Sequence, residues 1–444
     1  MDIVAVGGQY KIQMEIVLGI LRPVLGIGLL LLFCYFLSER KDKIRWSLVA
    51  YGVVLQILLA ALMLKLPFAH EAIRSVSQLF NALVGFSNES AAFVFGTLAS
   101  DSSGTYGFAF TVLPTIIFFS AFSAILYYLR VLPCLVYAFA WMLNRTLRLT
   151  GAESLAAAAN IFVGQTEAPL VVKPYLKSMN RSEIMAVMTG GMATIAGGVL
   201  VAYMAILGGG DEAYSIVLGQ HLLTASILSA PAAMVVSKIL IPQTDPVSEK
   251  LEYLEVVDGG GILDAITKGT TDGMKLALNV GGMLLAFTSL VAVANWMVAN
   301  GVGKWTGLND WVSAITDGRF REFNFSFLAG VSCTPFAWVI GVSWGDCLIV
   351  GQLLGERLVL NEFISYLNLA KYQESGAFMD PKTPIIATYA LCGFANLTSI
   401  GIQVGGISTL EKSQRPNLQK CAFKALLGGM IACYMTAIIA TSIL

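Results

Sequence analysis

Two short stretches of this chain place acids and amides inside strongly apolar sequence. The first reads Asn160-Ile161-Phe162-Val163-Gly164-Gln165-Thr166-Glu167-Ala168-Pro169, flanked by the apolar runs Leu155–Ala159 and Ala168–Val172. The second is centred on Asn361-Glu362-Phe363. A carboxylate in such surroundings is expensive and marks a functional site by default. The chemistry on offer is recognition. Glutamine both donates and accepts, threonine adds a hydroxyl, and a carboxylate accepts several hydrogen bonds. Bond-making chemistry has less support: the chain has two histidines and neither is near these stretches. An enzyme needing a nucleophile with its base, or a metal motif, lacks the usual parts. Its seven cysteines form no C-x-x-C pair, which speaks against a structural zinc or redox site.

The elements that hold these stretches lie in a membrane. Of 444 residues, 56% are hydrophobic and 13% charged, with a mean hydropathy of +0.73. A soluble protein carries about 25% charged residues. Many segments approach the roughly 20 apolar residues that cross a bilayer. Net charge is zero, which gives no footing for nucleic acid. The expected spans are 16–37, 46–64, 108–129, 184–207, 214–241, 276–298, 385–408 and 422–444, with a further apolar segment at 323–342. Residues 68–100 read as an amphipathic helix lying on the surface. The loop Ser38–Arg45 and the region of Lys412, Arg415, Lys420 and Lys424 are basic and therefore cytoplasmic, which puts both termini outside.

Gly164 and Pro169 break helix, so the first stretch reads as the tip of a re-entrant hairpin over 153–178. The second sits in a hairpin over 344–372. About thirty residues after each tip, a span carries a polar centre: Ala193-Thr194-Ile195-Ala196-Gly197 after the first, Phe394-Ala395-Asn396-Leu397-Thr398-Ser399 after the second. The fold expected is all-α and polytopic. It has about eight transmembrane helices, two opposed hairpins, an inverted repeat and helices broken at the midplane, as in secondary transporters. The domains expected are an N-terminal scaffold over 1–106, a first repeat over 107–242, a cytoplasmic connector over 243–275 and a second repeat over 276–444.

Three segments resemble a known family. Asn160–Leu176 (NIFVGQTEAPLVVKPYL) is similar to the first-hairpin signature of concentrative nucleoside transporters. Gly355–Tyr366 (GERLVLNEFISY) resembles the family's second-hairpin motif, and Leu391–Gly401 (LCGFANLTSIG) its broken-helix motif. Arg357 stands where the family has Lys, and Ile364-Ser365 where it has Val-Ala. The resemblance implies that Gln165, Thr166 and Glu167 bind the nucleobase, with Val199 packed against it. It implies that Glu362, Asn396 and Ser399 hold the ribose hydroxyls beside Phe394. Sodium is implied at Asn160, the Val163 carbonyl, Thr194 and the Ile195 carbonyl, with Thr194 where relatives often have Ser. It further implies a homotrimer in the bacterial inner membrane, among lipid, moving its substrate domain like an elevator.

The residue chemistry agrees with that implication. One carboxylate such as Glu362 can accept both donors of a ribose diol, in charge-assisted bonds stronger than neutral ones. Sodium suits oxygen ligands. Proton coupling through Glu167 or Glu362 is the alternative; the Asn160 and Thr194 pair favours sodium. A channel needs a continuous polar file, and polarity here is confined to two tips and two breaks. An amino-acid carrier needs a cation for the α-carboxylate, and both tips carry acids instead.

Overall fold

The computed structural model describes residues 21–100, 108–165, 167–208, 211–245, 261–316, 318 and 320–444. Thr166, the start of the expected first span (16–20) and residues 246–260 of the expected connector lie outside the described residues. All regular structure among the described residues is helical. Among the described residues five helices are long and apolar enough to cross a bilayer: Trp46–Lys65, Ala109–Tyr128, Arg181–Gly208, Glu212–Leu240 and Lys412–Ile443. Leu21–Leu37, Val131–Leu147, Phe325–Val339 and Leu397–Leu410 are shorter apolar helices. Pro67–Phe95 is one continuous helix with proline at its start, where the missing N–H costs nothing.

The connector differs from its expected form. Residues 262–275 are the opening turns of a 37-residue helix, Ile262–Val298. Its glycines make a flat face. A Cβ on Gly269 would lie 2.7 Å from the Ala124 side chain, and one on Gly273 2.7 Å from Ser120. Glycines that read as loop residues instead let two helices approach closely.

Both hairpins form, and capping explains where one arm of each starts. Thr150 accepts the Glu153 N–H while the Glu153 carboxylate accepts the Thr150 N–H, so Gly151–Phe162 starts on a capping box. The returning arm is two short turns, Ala168–Val171 and Lys173–Leu176, because Pro169 and Pro174 interrupt it. In the second hairpin Cys347–Val359 leads to Glu362–Glu374, whose first turn is capped by the Asn361 side chain on the Ile364 N–H.

Leu21–Leu37 shows that the hairpins are opposed. At its start Arg22 donates to the Trp338 and Val342 carbonyls, just before the second hairpin. Asp346 fixes that base by accepting from the Met379 and Asp380 N–H groups and the Thr383 hydroxyl. Just beyond its other end, Glu39 pairs with Arg181, which follows the first hairpin, and with Lys424 of the last helix. The two hairpin bases are thus about 25 Å apart along one helix, at 1.5 Å per residue. Partial burial alone would raise the Glu39 pKa. The hydrogen bonds and charges of Lys424 and Arg181 outweigh it and hold the carboxyl below its usual value.

Each hairpin is followed by a broken helix. Arg181–Ala193 resumes at Gly197, and Thr383–Leu391 resumes at Leu397. The second break starts earlier than expected: it spans 392–396, and Leu397, Thr398 and Ser399 are already helical. The Asn396 side chain accepts the Ser399 N–H and so starts that helix at once. The two breaks cross at Gly393, where φ is +139°. A Cβ there would lie 2.8 Å from both the Ala193 carbonyl oxygen and the Cys433 sulfur. The Cys433 thiol donates to the Cys392 carbonyl and has the Ala193 carbonyl within reach, so it touches both breaks. Gly393→Ala is expected to destabilise the protein by about 3 kcal/mol, combining left-handed strain with overpacking. Thermal unfolding in detergent checks this, and an unchanged midpoint would refute it.

Candidate functional site

The site lies where the first hairpin tip meets the second half of the second broken helix. Gln165 is buried and its Nε2 donates to the Ser399 hydroxyl at 3.0 Å. Its Oε1 accepts from Gln403 Nε2 at 3.0 Å. That same Gln403 nitrogen donates to the Met188 carbonyl at 3.2 Å. On the other side, Asn396 Nδ2 donates to Glu362 Oε2 at 2.8 Å. Gln165, Ser399, Asn396 and Glu362 therefore form one continuous polar set, drawn from both hairpins and one broken helix. Glu362 is buried among apolar and aromatic groups. Tyr203 lies with its ring centroid 5.0 Å from Phe363 and 4.3 Å from Tyr366. A carboxylate in this setting can take two donors from an adjacent diol.

The other expected substrate residues take less connected positions. Glu167 is exposed and its Oε2 accepts the Gly164 N–H at 3.3 Å, which closes the tip turn. Val199 is buried near the start of the resumed helix Gly197–Gly208. Phe394 is half-buried in the second break. No hydrogen bond among the described residues joins Glu167 to the Gln165–Glu362 set.

The four expected sodium ligands are brought to two neighbouring turns. Val163 and Thr194 each follow a helix end with extended backbone, at φ −116°, ψ 160° and φ −117°, ψ 169°. Carbonyls at such points have left the helix ladder. The Asn160 amide nitrogen donates back to the Ala156 carbonyl at 2.9 Å. Its oxygen is buried and has no protein partner among the described residues. That oxygen lies 3.5 Å from where a Cβ on Gly191 would stand, so the glycine leaves its surroundings open. The Thr194 hydroxyl donates to the Gly190 carbonyl at 2.9 Å, which leaves its oxygen lone pairs to face elsewhere. Ile195 is buried beside it. An orphaned buried amide oxygen beside freed carbonyls and a hydroxyl oxygen is a donor set that a hard cation fits.

Sequence reasoning missed Gln403, Tyr203 and Arg357. Asn396, Ser399 and Gln403 are spaced i, i+3, i+7, which is one helical face and was readable. Tyr203 gave no such signal. Arg357 read only as a departure at a hairpin position. It is fully buried and donates to the Ala390 carbonyl at 2.6 Å, at the end of a helix broken just beyond. Its second nitrogen donates to the Cys433 sulfur at 3.3 Å.

Comparison with known proteins places the chain in a family. Residues 25–98 match the model for the Na+ dependent nucleoside transporter N-terminus, and 221–441 that for its C-terminus. Residues 109–210 match a nucleoside recognition model. The nucleoside permease NupC of Helicobacter pylori is 34% identical, over 95% of this chain and 97% of its own length. An uncharacterized transporter of Haemophilus influenzae is 37% identical, with the same coverages. Human solute carrier family 28 member 3 is 33% identical over 94% of this chain and 58% of its own. Among solved structures, CNTnw in an inward-facing substrate-bound state superposes with a TM-score of 0.84 at 34% identity, covering 96% of this chain and 98% of that one. A variant of CNTnw in an outward-facing state gives 0.85 at 34% identity, with coverages of 95% and 97%. This chain is a helical membrane protein of the concentrative, Na+ dependent nucleoside transporter family, a family of transporters and not of enzymes.

Proposed function

We propose that this chain imports nucleosides into the cell by coupling their movement to an inward sodium gradient. The observation that carries the coupling is the buried Asn160 oxygen, unpartnered among the described residues, beside the extended backbone at Val163 and Thr194. Sodium there is held by Asn160, the Val163 and Ile195 carbonyls and the Thr194 hydroxyl oxygen. Binding it ties the first tip to the first break, and Gln165 sits in that same tip. Ion occupancy therefore orders the residues that meet the base. Gln165, Thr166 and Glu167 contact the base, with Val199 against its face. Glu362, Asn396 and Ser399 take the ribose hydroxyls, with Phe394 alongside. One sodium charge moving down about 100 mV supplies about 2.3 kcal/mol. That supports roughly fifty-fold accumulation, at about 1.4 kcal/mol per factor of ten.

The assembly is a homotrimer in a bacterial inner membrane with both termini outside. Residues 1–106 act as scaffold, and the repeats over 107–242 and 276–444 carry the site. The two hairpins and two broken helices shift as a body, in elevator fashion. Uridine uptake into liposomes holding the purified protein tests the coupling. Uptake is expected with an inward sodium gradient and to fall at least tenfold in Asn160→Ala. Uptake driven equally by a proton gradient without sodium would overturn the ion assignment.

A further inference from the structure

We propose that Gln403 fixes which end of the Gln165 amide faces the substrate and so sets nucleobase preference, an inference that rests on the transport reading above. An amide side chain has a donor end and an acceptor end of nearly equal size, so its direction is set only by its partners. For Gln403 the reference is the backbone. The Met188 carbonyl can only accept, so the Gln403 nitrogen must face it. The remaining proton of that nitrogen then points at Gln165, whose oxygen must turn to receive it. The Gln165 nitrogen is thereby turned toward Ser399 and donates to its hydroxyl oxygen.

The direction of every bond in this line follows from one backbone carbonyl. Turning Gln403 over would set its oxygen against the Met188 oxygen, and turning Gln165 over alone would oppose two donors. The line is well shielded: Gln403 is 2% exposed and Gln165 8%. It is also held close, since a Cβ on Gly191 would stand 2.6 Å from Gln403 Nε2 and 3.0 Å from Gln165 Cβ. Two consequences follow at the substrate. Gln165 has one amide proton left over for a base acceptor, and its oxygen is already engaged. Ser399, having accepted, keeps its own proton to donate. Nucleobases differ in the order of donors and acceptors around their rim, so a fixed donor discriminates among them. On the ribose side the line reaches only the Ser399 hydroxyl, because the Glu362 carboxylate is oriented by Asn396. Gln403 is thus a positioning residue that touches no substrate.

The test is initial-rate uptake into sodium-loaded gradients with wild type, Gln403→Leu and Gln403→Glu. Uridine, cytidine, adenosine and 2′-deoxyuridine are each measured for KM and maximal rate. Leucine removes the reference, and glutamate replaces a donor with acceptors. The ratio of KM between uridine and cytidine is expected to move at least about fivefold in either variant. The uridine to 2′-deoxyuridine ratio is expected to move less than the base ratio, since Ser399 alone links the line to the ribose. Equal changes for every nucleoside, with both ratios kept, would reduce Gln403 to packing and overturn the proposal. A shifted deoxyribose ratio with an unchanged base ratio would overturn it as well. Wild type inert toward all four nucleosides would instead remove the transport reading beneath it.

Discussion

Glu362→Gln is expected to lower nucleoside uptake, as rate over KM, by about a hundredfold or more while the protein stays folded. The carboxylate is buried, and one of its oxygens accepts from Asn396 at 2.8 Å. A hydrogen bond to a charged group is worth about 1.5–3 kcal/mol. Two ribose hydroxyls on one carboxylate therefore represent a factor of about 10² to 10⁴, at 1.4 kcal/mol per tenfold. The glutamine amide has one acceptor oxygen. It also offers an N–H where the hydroxyls bring their own protons, or turns that N–H onto the Asn396 donor. Uptake in proteoliposomes, together with calorimetric binding of uridine, checks this. Retention within threefold would mean that the diol is recognised elsewhere.

Lys238→Met is expected to destabilise the protein by about 3–5 kcal/mol, the usual penalty for stranding one member of a buried ion pair. Lys238 and Glu153 form a salt bridge at 6% and 1% side-chain exposure. Lys238 also donates to the Ser182 hydroxyl at 2.9 Å. Glu153 is the residue that closes the cap of the first hairpin's inward arm, and Ser182 lies in the first turn of the broken helix after that hairpin. The bridge therefore fastens Glu212–Leu240 to both. Its loss leaves a carboxylate without a counter-charge, and the unfolding midpoint in detergent falls by on the order of 5 °C. Adding Glu153→Gln removes the stranded charge and recovers most of the loss. A double variant no more stable than Lys238→Met would refute the pairing argument.

Much of this organisation was legible because membranes punish polar sequence. Asn160, Glu167, Glu362 and Asn396 stand out against apolar neighbours, so hairpin tips and helix breaks announce themselves. The caps that start two arms, Thr150 with Glu153 and Asn361 ahead of Glu362, came only with the structure. What stayed hidden depended on partners remote in sequence. Gly269 and Gly273 look like loop glycines until the helix at 113–128 is laid against them. Cys433 looks like one more apolar residue until two carbonyls converge on its thiol. Gln403 was visible by spacing, yet its meaning came only from the Met188 carbonyl, which no side-chain pattern encodes.

The polar bonds that complete the site join residues far apart in the order of synthesis. Gln165 waits for Ser399, 234 positions later, and Gln403 reaches back 238 to Gln165 and 215 to Met188. At about 5–20 residues per second, roughly 10 to 50 s separate the emergence of the first tip from that of its partners. During that interval Gln165 belongs to a half-made chain, with its amide exposed to lipid or held by water. Biogenesis therefore has a vulnerable window set by topology. A chain stalled between its two repeats displays an unsatisfied hairpin, a natural mark for membrane quality control.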